Sequence, residues 1–522
     1  MEWPWLSALY LAISPPAGPQ NKIQYKPYAM NKIVTSLYAL ILIGTLSSAQ
    51  AVAQGTANLG TLDLEECIAI AQNQSPVARS ARYALIASKW QYRSFRADLR
   101  PSLTFSGDAP NYSRSFRQYF IDGETHYAYT TQSDASANLS INQNILMTGG
   151  TLSLSTGISR LGVFKGENTQ LWQSTPLVVG FRQPLFQFNN LKWQNQLEPL
   201  RYTIAQKQYV EEMEQIAVTV TQRFFDVYLA RINLENAEFN VARNDSIYQI
   251  SLGRYNVGNI AENDLLQTEL QLRNAEASLT RARIEHERSL NDFKILLGYP
   301  TDVELNLREP EELPDISVNI SEAKALAISN NSEALTYRLN ELQAERELER
   351  AKRSGSFSAT IIGNYGLNQT SEEFSNLYSD PLERQFLTLG FDVPIFNWGK
   401  HRAQINSARN QQRQVANSIE FQRRQFDQRV QYIVSQFLQL KDQVLLAAQS
   451  DTIAQRRYEV AQNRYLIGKI DITNLFIAQN EKDMARQGYI RALRDFWSGW
   501  YQLRQLTLYD FQQDEPITYD LE

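Results

Sequence analysis

A motif written twice restricts this chain more than anything else in it. Phe181-Arg182-Gln183-Pro184-Leu185-Phe186 returns as Phe391-Asp392-Val393-Pro394-Ile395-Phe396. Arg254-Tyr255-Asn256-Val257-Gly258-Asn259-Ile260 returns as Arg464-Tyr465-Leu466-Ile467-Gly468-Lys469-Ile470, again at an offset of 210 residues. Two separate motifs at one offset indicate a duplicated half. Upstream, Asn73-Gln74-Ser75 resembles Asn330-Asn331-Ser332, and Pro101-Ser102-Leu103-Thr104-Phe105 resembles Phe357-Ser358-Ala359-Thr360-Ile361, at offsets of 256 to 257 residues. The first copy therefore carries roughly 46 more residues ahead of its Pro184 motif.

Each copy repeats one order of elements. Asp63 with Glu66 forms a capping box that opens a helix predicted to reach about Arg96, and Ser321 opens its counterpart to about Arg350. Leu387, Leu389, Phe391, Val393 and Ile395 alternate with Thr388, Gly390 and Asp392, which predicts a strand apolar on one face, and Leu177, Val179, Phe181 and Leu185 repeat it. After Pro184 and Pro394, Gly and Pro are nearly absent until Gly253 and Gly468, and the spacing of Ile216, Val220, Phe224, Val227 and Tyr228 is helical. About 65 residues at ~1.5 Å each give a rod near 100 Å long, which no compact domain requires.

A second helix follows each Arg-Tyr motif, to about Leu297 and Leu508. Steps of seven give Leu265, Leu272, Leu279, His286 and Phe293, matched by Leu475, Lys482, Tyr489, Phe496 and Leu503. A parallel track holds the smaller Thr268, Ala275, Ala282 and Ser289, matched by Ala478, Ala485, Ala492 and Gly499. Large and small tracks at a heptad spacing let long helices lie close in a coiled-coil layer.

The amino end reads as a processing segment. Lys32, the apolar run Ile33 to Leu46, and the small residues Ala51 and Ala53 form a signal peptide over 30–53, preceded by an upstream start extension at 1–29. The first repeat spans 54–300 with a β-hairpin insertion near 108–160, the second spans 301–510, and 511–522 is an acidic tail. Cys67 lies too far from the cleavage point to accept lipid and reads as a small buried side chain.

Composition excludes several classes. One Cys and three His (His126, His286 and His401) in separate elements make no metal centre, so no metal or cofactor is expected. A formal net charge of −5 gives no reason to expect nucleic acid. No Gly-rich phosphate loop follows a strand, and Glu211-Glu212 reads as a solvated helix face, so no catalytic residue is assigned. A mean hydropathy of −0.41 speaks against a polytopic helical membrane protein but not against a transmembrane β-barrel, whose strands only alternate.

Together, the signal, the duplicated helix, strand-pair, long-helix and short-helix order, the Pro-Leu-Phe and Pro-Ile-Phe strand ends and the Arg-Tyr-x-(Val/Ile)-Gly turns resemble the TolC family of outer-membrane channels. The resemblance covers about residues 60 to 510. It implies a mainly α fold with β: a homotrimer whose strands close one transmembrane β-barrel, continued by a periplasmic α-helical tunnel. It further implies a passive exit duct in the outer membrane of a Gram-negative bacterium, serving efflux or type I secretion. The expected partners are outer-membrane lipid, a periplasmic adaptor and an inner-membrane transporter. The alternative is a non-pore, elongated periplasmic coiled-coil adaptor or scaffold.

The resemblance makes the turns Arg254, Tyr255, Val257, Gly258 and Arg464, Tyr465, Ile467, Gly468 the adaptor-docking tip, and Asp264, Tyr465 and Lys469 the gating candidates. Ile470 stands where the family has a closing Arg, and Asn474 and Ile477 stand where it has an acidic constriction. Neither the family's closing salt bridge nor its cation selectivity is carried over. In the insertion, Ala137, Leu139, Ile141 and Ile145, the turn Thr148-Gly149-Gly150, and Leu152 to Ile158 read as a hairpin. It either widens the barrel or projects from it, and the Ser, Thr and Gly content of 148–159 favours projection. Tyr112, Phe116, Tyr119, Phe120, Tyr127 and Tyr129 read as part of a long external loop.

Overall fold

A computed structural model describes residues 61–519 except 122, 165–168, 310–312, 315 and 317, and except the side chains of 117, 119–121, 126, 128 and 130. The expected extension and signal at 1–53, residues 520–522 of the tail, and the side chains of Tyr119, Phe120 and His126 lie outside the described residues.

The first repeat runs β1 (Thr61–Leu62), α1 (Leu64–Gln74), α2 (Pro76–Asp98), β2 (Ser102–Ile121), β3 (Glu124–Asn144), β4 (Thr151–Val163), β5 (Thr169–Leu185), α3 (Asn190–Asn256) and α4 (Glu262–Leu297). The second runs β6 (Asn306–Leu307), α5 (Ile320–Asn330), α6 (Ser332–Ser354), β7 (Ser358–Ser371), β8 (Leu382–Asp392), α7 (Lys400–Leu466) and α8 (Ile472–Thr507). Short β9 (Tyr509–Asp510) and β10 (Glu515–Pro516) follow. The duplication is close: α3 and α7 have 67 residues each, and α4 and α8 have 36 each.

The helix expected from Asp63 to Arg96 is in fact two. The Asp63–Glu66 capping box opens α1, but Ser75 is extended at φ −62°, ψ 151° and its side chain accepts from Ala78 N. Pro76 then begins α2, where its missing N–H costs nothing. The counterpart breaks identically at Asn331 (φ −68°, ψ 147°), which caps Glu333, and its first helix is capped by Asn319 rather than opened at Ser321.

Helices α1, α3, α4, α7 and α8 bury one continuous core that includes Phe224, Phe225, Phe293, Phe437, Phe496 and Trp500. Each such side chain contributes roughly 1.5–3 kcal/mol or more. An ionic knot sits within it. Fully buried Glu214 accepts from Arg504 Nε at 3.0 Å and Nη2 at 3.2 Å, and from the Tyr519 hydroxyl at 2.6 Å. Arg504 also pairs with Asp510, and Gln72 donates to Tyr519 at 2.8 Å. The C-terminal segment is thereby tied to α1, α3 and α8. Cys67 is fully buried, and burial pushes its thiol up to about 12.

Strands β2-β3-β4-β5-β7-β8 form one antiparallel six-stranded sheet in that order. This corrects the expectation that the inserted hairpin projects: β4 is paired along its length with both β3 and β5. The second repeat supplies two strands and the first four, so the insertion widens the sheet. Residues 112–121 and 124–134 are likewise not a loop. They continue β2 and β3 as a paired ribbon, Asn111 opposite Asp134 and Ile121 opposite Glu124.

Candidate functional site

Two regions are the candidates for function: the helix turns that end α3 and α7, and the six-stranded sheet. At the first turn α3 ends in a Schellman arrangement. Gly258 N donates to Tyr255 O at 2.9 Å and Asn259 N to Arg254 O at 2.8 Å. The second turn repeats it, with Gly468 N to Tyr465 O at 2.9 Å and Lys469 N to Arg464 O at 2.8 Å. Both glycines have φ +72°, the left-handed conformation that closes such a cap. The following helices differ: Asp471 caps α8 by accepting from Asn474 N at 2.8 Å, whereas Ala261 gives α4 no side-chain cap.

The tip residues are presented unequally. Val257 and Ile467 are exposed, whereas Tyr465 is buried in a small apolar cluster with Ile247, Tyr458, Ile472, Leu475 and Phe476. Its hydroxyl lies 3.4 Å from Ser251 Oγ, the Arg254 guanidinium lies 5.6 Å from its ring centre, and Arg254 Nη2 donates to Leu466 O at 3.3 Å. These contacts join the two halves of the tip. Sequence reasoning missed Ser251, which no motif marks, and gave Arg254 no partner. Within the protomer, Asp264 is not paired with Tyr465, and neither Asp264 nor Lys469 has an ion pair among the described residues.

The sheet has two chemically distinct faces. One row across all six strands reads Leu103, Ile141, Leu154, Val179, Tyr365, Gln385, and beside it Leu152, Phe181, Gly363 and Leu387 align. Rows on the opposite face read Ser102, Asn142, Ser153, Gly180, Asn364, Phe386 and Thr104, Ser140, Ser155, Val178, Gly366, Arg384. An exposed apolar face backed by a Ser- and Asn-rich one is the sidedness of a barrel wall between lipid and an aqueous lumen.

Aromatic residues bracket the apolar band. At the helix end stand Phe186, Phe357, Phe396 and Trp398, with Ile395 94% and Trp398 89% exposed. At the other end Trp172 packs edge-on against Phe374 at 5.1 Å, beneath Arg160 at 5.4 Å. From Leu185 to Trp172 along β5 is ~43 Å of strand, or about 33 Å along the normal at a 40° tilt, the height of a hydrocarbon band with its girdles. Sequence reasoning did not single out Trp172 or Trp398, because an aromatic residue carries no sequence signal of its height in a wall.

His286 and His401 lie on different helices, and no group of three or more His, Cys, Asp or Glu that could hold a metal occurs among the described residues. No described helix is long and apolar enough to cross a membrane, which says nothing of a barrel.

The family model described as outer membrane efflux protein matches residues 67–299 and 323–507. Similar solved structures include the CmeC outer membrane channel of Campylobacter jejuni, at 15% identity and a TM-score of 0.62, covering 96% of this chain and 96% of that one. A membrane protein from Pseudomonas aeruginosa is 15% identical with a TM-score of 0.61, covering 85% and 90%. The outer membrane protein VceC of Vibrio cholerae is 13% identical with a TM-score of 0.60, covering 85% and 95%. No curated protein sequence matches the chain.

Proposed function

The chain belongs to the outer membrane efflux protein family, and from that premise we propose that three copies join their sheets edge to edge into one barrel whose helices carry the exit duct inward across the periplasm. The sided six-stranded sheet is the observation that carries this reading. Its outer strands β2 and β8 each have one unpaired edge, and a sheet in lipid must close to satisfy its backbone. Three copies of it give an even-numbered wall of about 18 strands, of the porin class that leaves an aqueous channel. The 67-residue helices then extend ~100 Å to the tip.

Unpartnered heptad stripes support the oligomer. Leu446, Ile453, Val460 and Ile467 follow at steps of seven on α7 and its cap, all more than half exposed, and α4 exposes Leu266, Leu270 and Ile284. Such stripes suit a second copy in a helical tunnel. At the tip, Arg254, Tyr255, Val257, Gly258 and Arg464, Ile467, Gly468 form the surface offered to a periplasmic adaptor, while Tyr465, expected on that surface, is buried and packs beneath it. Asp264 and Lys469, without an ion pair among the described residues, supply contacts between protomers that hold the tip closed until an inner-membrane pump and its adaptor engage.

Outer-membrane fractionation with unheated gel electrophoresis tests the reading. A heat-modifiable trimer in the outer membrane is the expected result. A soluble periplasmic monomer would instead establish the non-pore scaffold.

A further inference from the structure

We propose that the aromatic face of the ribbon built from residues 111–121 and 124–131 is a docking surface for the sugar headgroups of outer-leaflet glycolipid. The inference rests on reading the sheet as an outer-membrane wall.

Position comes from the register. The row Ala135, Arg160, Trp172 crosses β3, β4 and β5 at the girdle farther from the helices. Strand β4 ends at Val163, opposite Gln132, so beyond that point β3 pairs only with β2. Tyr129 and Tyr127 stand roughly 20 and 27 Å of strand beyond Ala135. The ribbon therefore rises out of the hydrocarbon layer into the zone of the headgroups.

Sidedness also comes from the register. Strand β3 pairs with β4 without interruption from Gln132 to Asn144, and with β2 from Glu124 to Asp134, so Tyr127 and Tyr129 share the face of Leu139 and Ile141. A bulge between Asp108 and Asn111 changes the parity of β2: Leu103 and Phe105 face the bilayer side below it, and Tyr112 and Phe116 face the same side above it. Both strands thus carry their aromatics on the continuation of the lipid face. That side points away from the barrel axis, where the other two ribbons of a trimer would meet.

The composition fits a sugar layer better than acyl chains. Tyr112, Phe116, Tyr127 and Tyr129 are all more than half exposed, backed by Ser113, Ser115 and Gln132 on the other face. Phe116 stacks on Tyr127 at 5.6 Å and meets Tyr129 at 4.9 Å, and the Arg114 guanidinium lies 5.2 Å from the Tyr129 ring centre. Flat rings take the C–H face of a pyranose, while tyrosine hydroxyls and Arg114 take its hydroxyl and phosphate groups. A two-stranded ribbon alone in water is marginal, and an aromatic face this open is normally covered.

The test compares the wild-type trimer with Tyr112→Ser/Phe116→Ser/Tyr127→Ser/Tyr129→Ser and with the opposite-face control Ser113→Ala/Gln132→Ala. Affinity is measured for rough-type lipopolysaccharide and for phosphatidylglycerol. The aromatic variant should bind lipopolysaccharide about tenfold or more weakly, with phosphatidylglycerol unchanged and the control like wild type. On the wild type alone, lipopolysaccharide should protect bonds between residues 111 and 131 from protease and phosphatidylglycerol should not. Unchanged lipopolysaccharide affinity with no protection overturns the proposal. So does loss of trimer-to-trimer association at unchanged affinity, which would make a second copy the occupant. Conductance is read on the same samples: a conducting trimer that fails these tests overturns the ribbon assignment alone, whereas a wild type that forms no conducting trimer overturns the wall reading beneath it.

Discussion

Gly258 and Gly468 hold φ +72° at turns where an added side chain meets open space, so backbone conformation alone decides what they tolerate. A β-branched residue there costs about 1–2 kcal/mol through the left-handed conformation. Gly258→Val or Gly468→Val is therefore expected to reshape the tip and impair export while leaving the trimer assembled. Normal export in both variants, with adaptor still crosslinking at these turns, would show that the turns are not the docking surface. A second residue-scale expectation concerns Tyr228, whose phenol burial and the hydrogen bond it donates to Glu309 push up to about 12. A raised value stabilises the fold fully below the ordinary phenol range near 10 and loses that contribution as pH climbs through about 12. Alkaline unfolding of the wild type should show this component between those limits, and Tyr228→Phe should remove it.

At the scale of elements, the duplicated helices were legible because periodicity, Gly-bearing turns and heptad tracks all act locally along the chain. The breaks at Ser75 and Asn331 were missed because a capping box announces a start and says nothing of length, although Pro76 marks the new start. The inserted hairpin was misplaced for a different reason. The Ser, Thr and Gly content of 148–159 was averaged over two faces, whereas Ser153 and Ser155 look to the polar side while Leu152 and Leu154 join the apolar rows. The tip candidates were found by motif, but Ser251 and the buried setting of Tyr465 depend on contacts between α3 and α7 across 214 residues of chain. Two deletions now separate wall from ribbon. Removing 151–163 takes out a strand paired on both sides and should abolish the trimer, whereas shortening 113–131 to a tight turn should leave it stable on an unheated gel. A trimer that survives loss of β4 would return the hairpin to the outside of the barrel. The uncapped start of α4 also invites Ala261→Asp, expected to add roughly 1 kcal/mol to local stability, read as slower amide exchange at Asp264 and Leu265.

At the scale of the whole molecule, the lumen-facing Ser and Asn rows, the aromatic girdles and the long helices with exposed heptad stripes make sense together only as parts of one conduit. On the proposed reading, a wide wall and a tip held closed between protomers place the resistance at the tip. The most direct measurement is single-channel conductance of the purified trimer in a planar bilayer, before and after the tip is loosened by Asp264→Ala/Lys469→Ala. The account predicts a small conductance for the closed trimer and a several-fold larger one once the tip contacts are removed. A folded, membrane-inserted trimer that passes no ions in either form would contradict it.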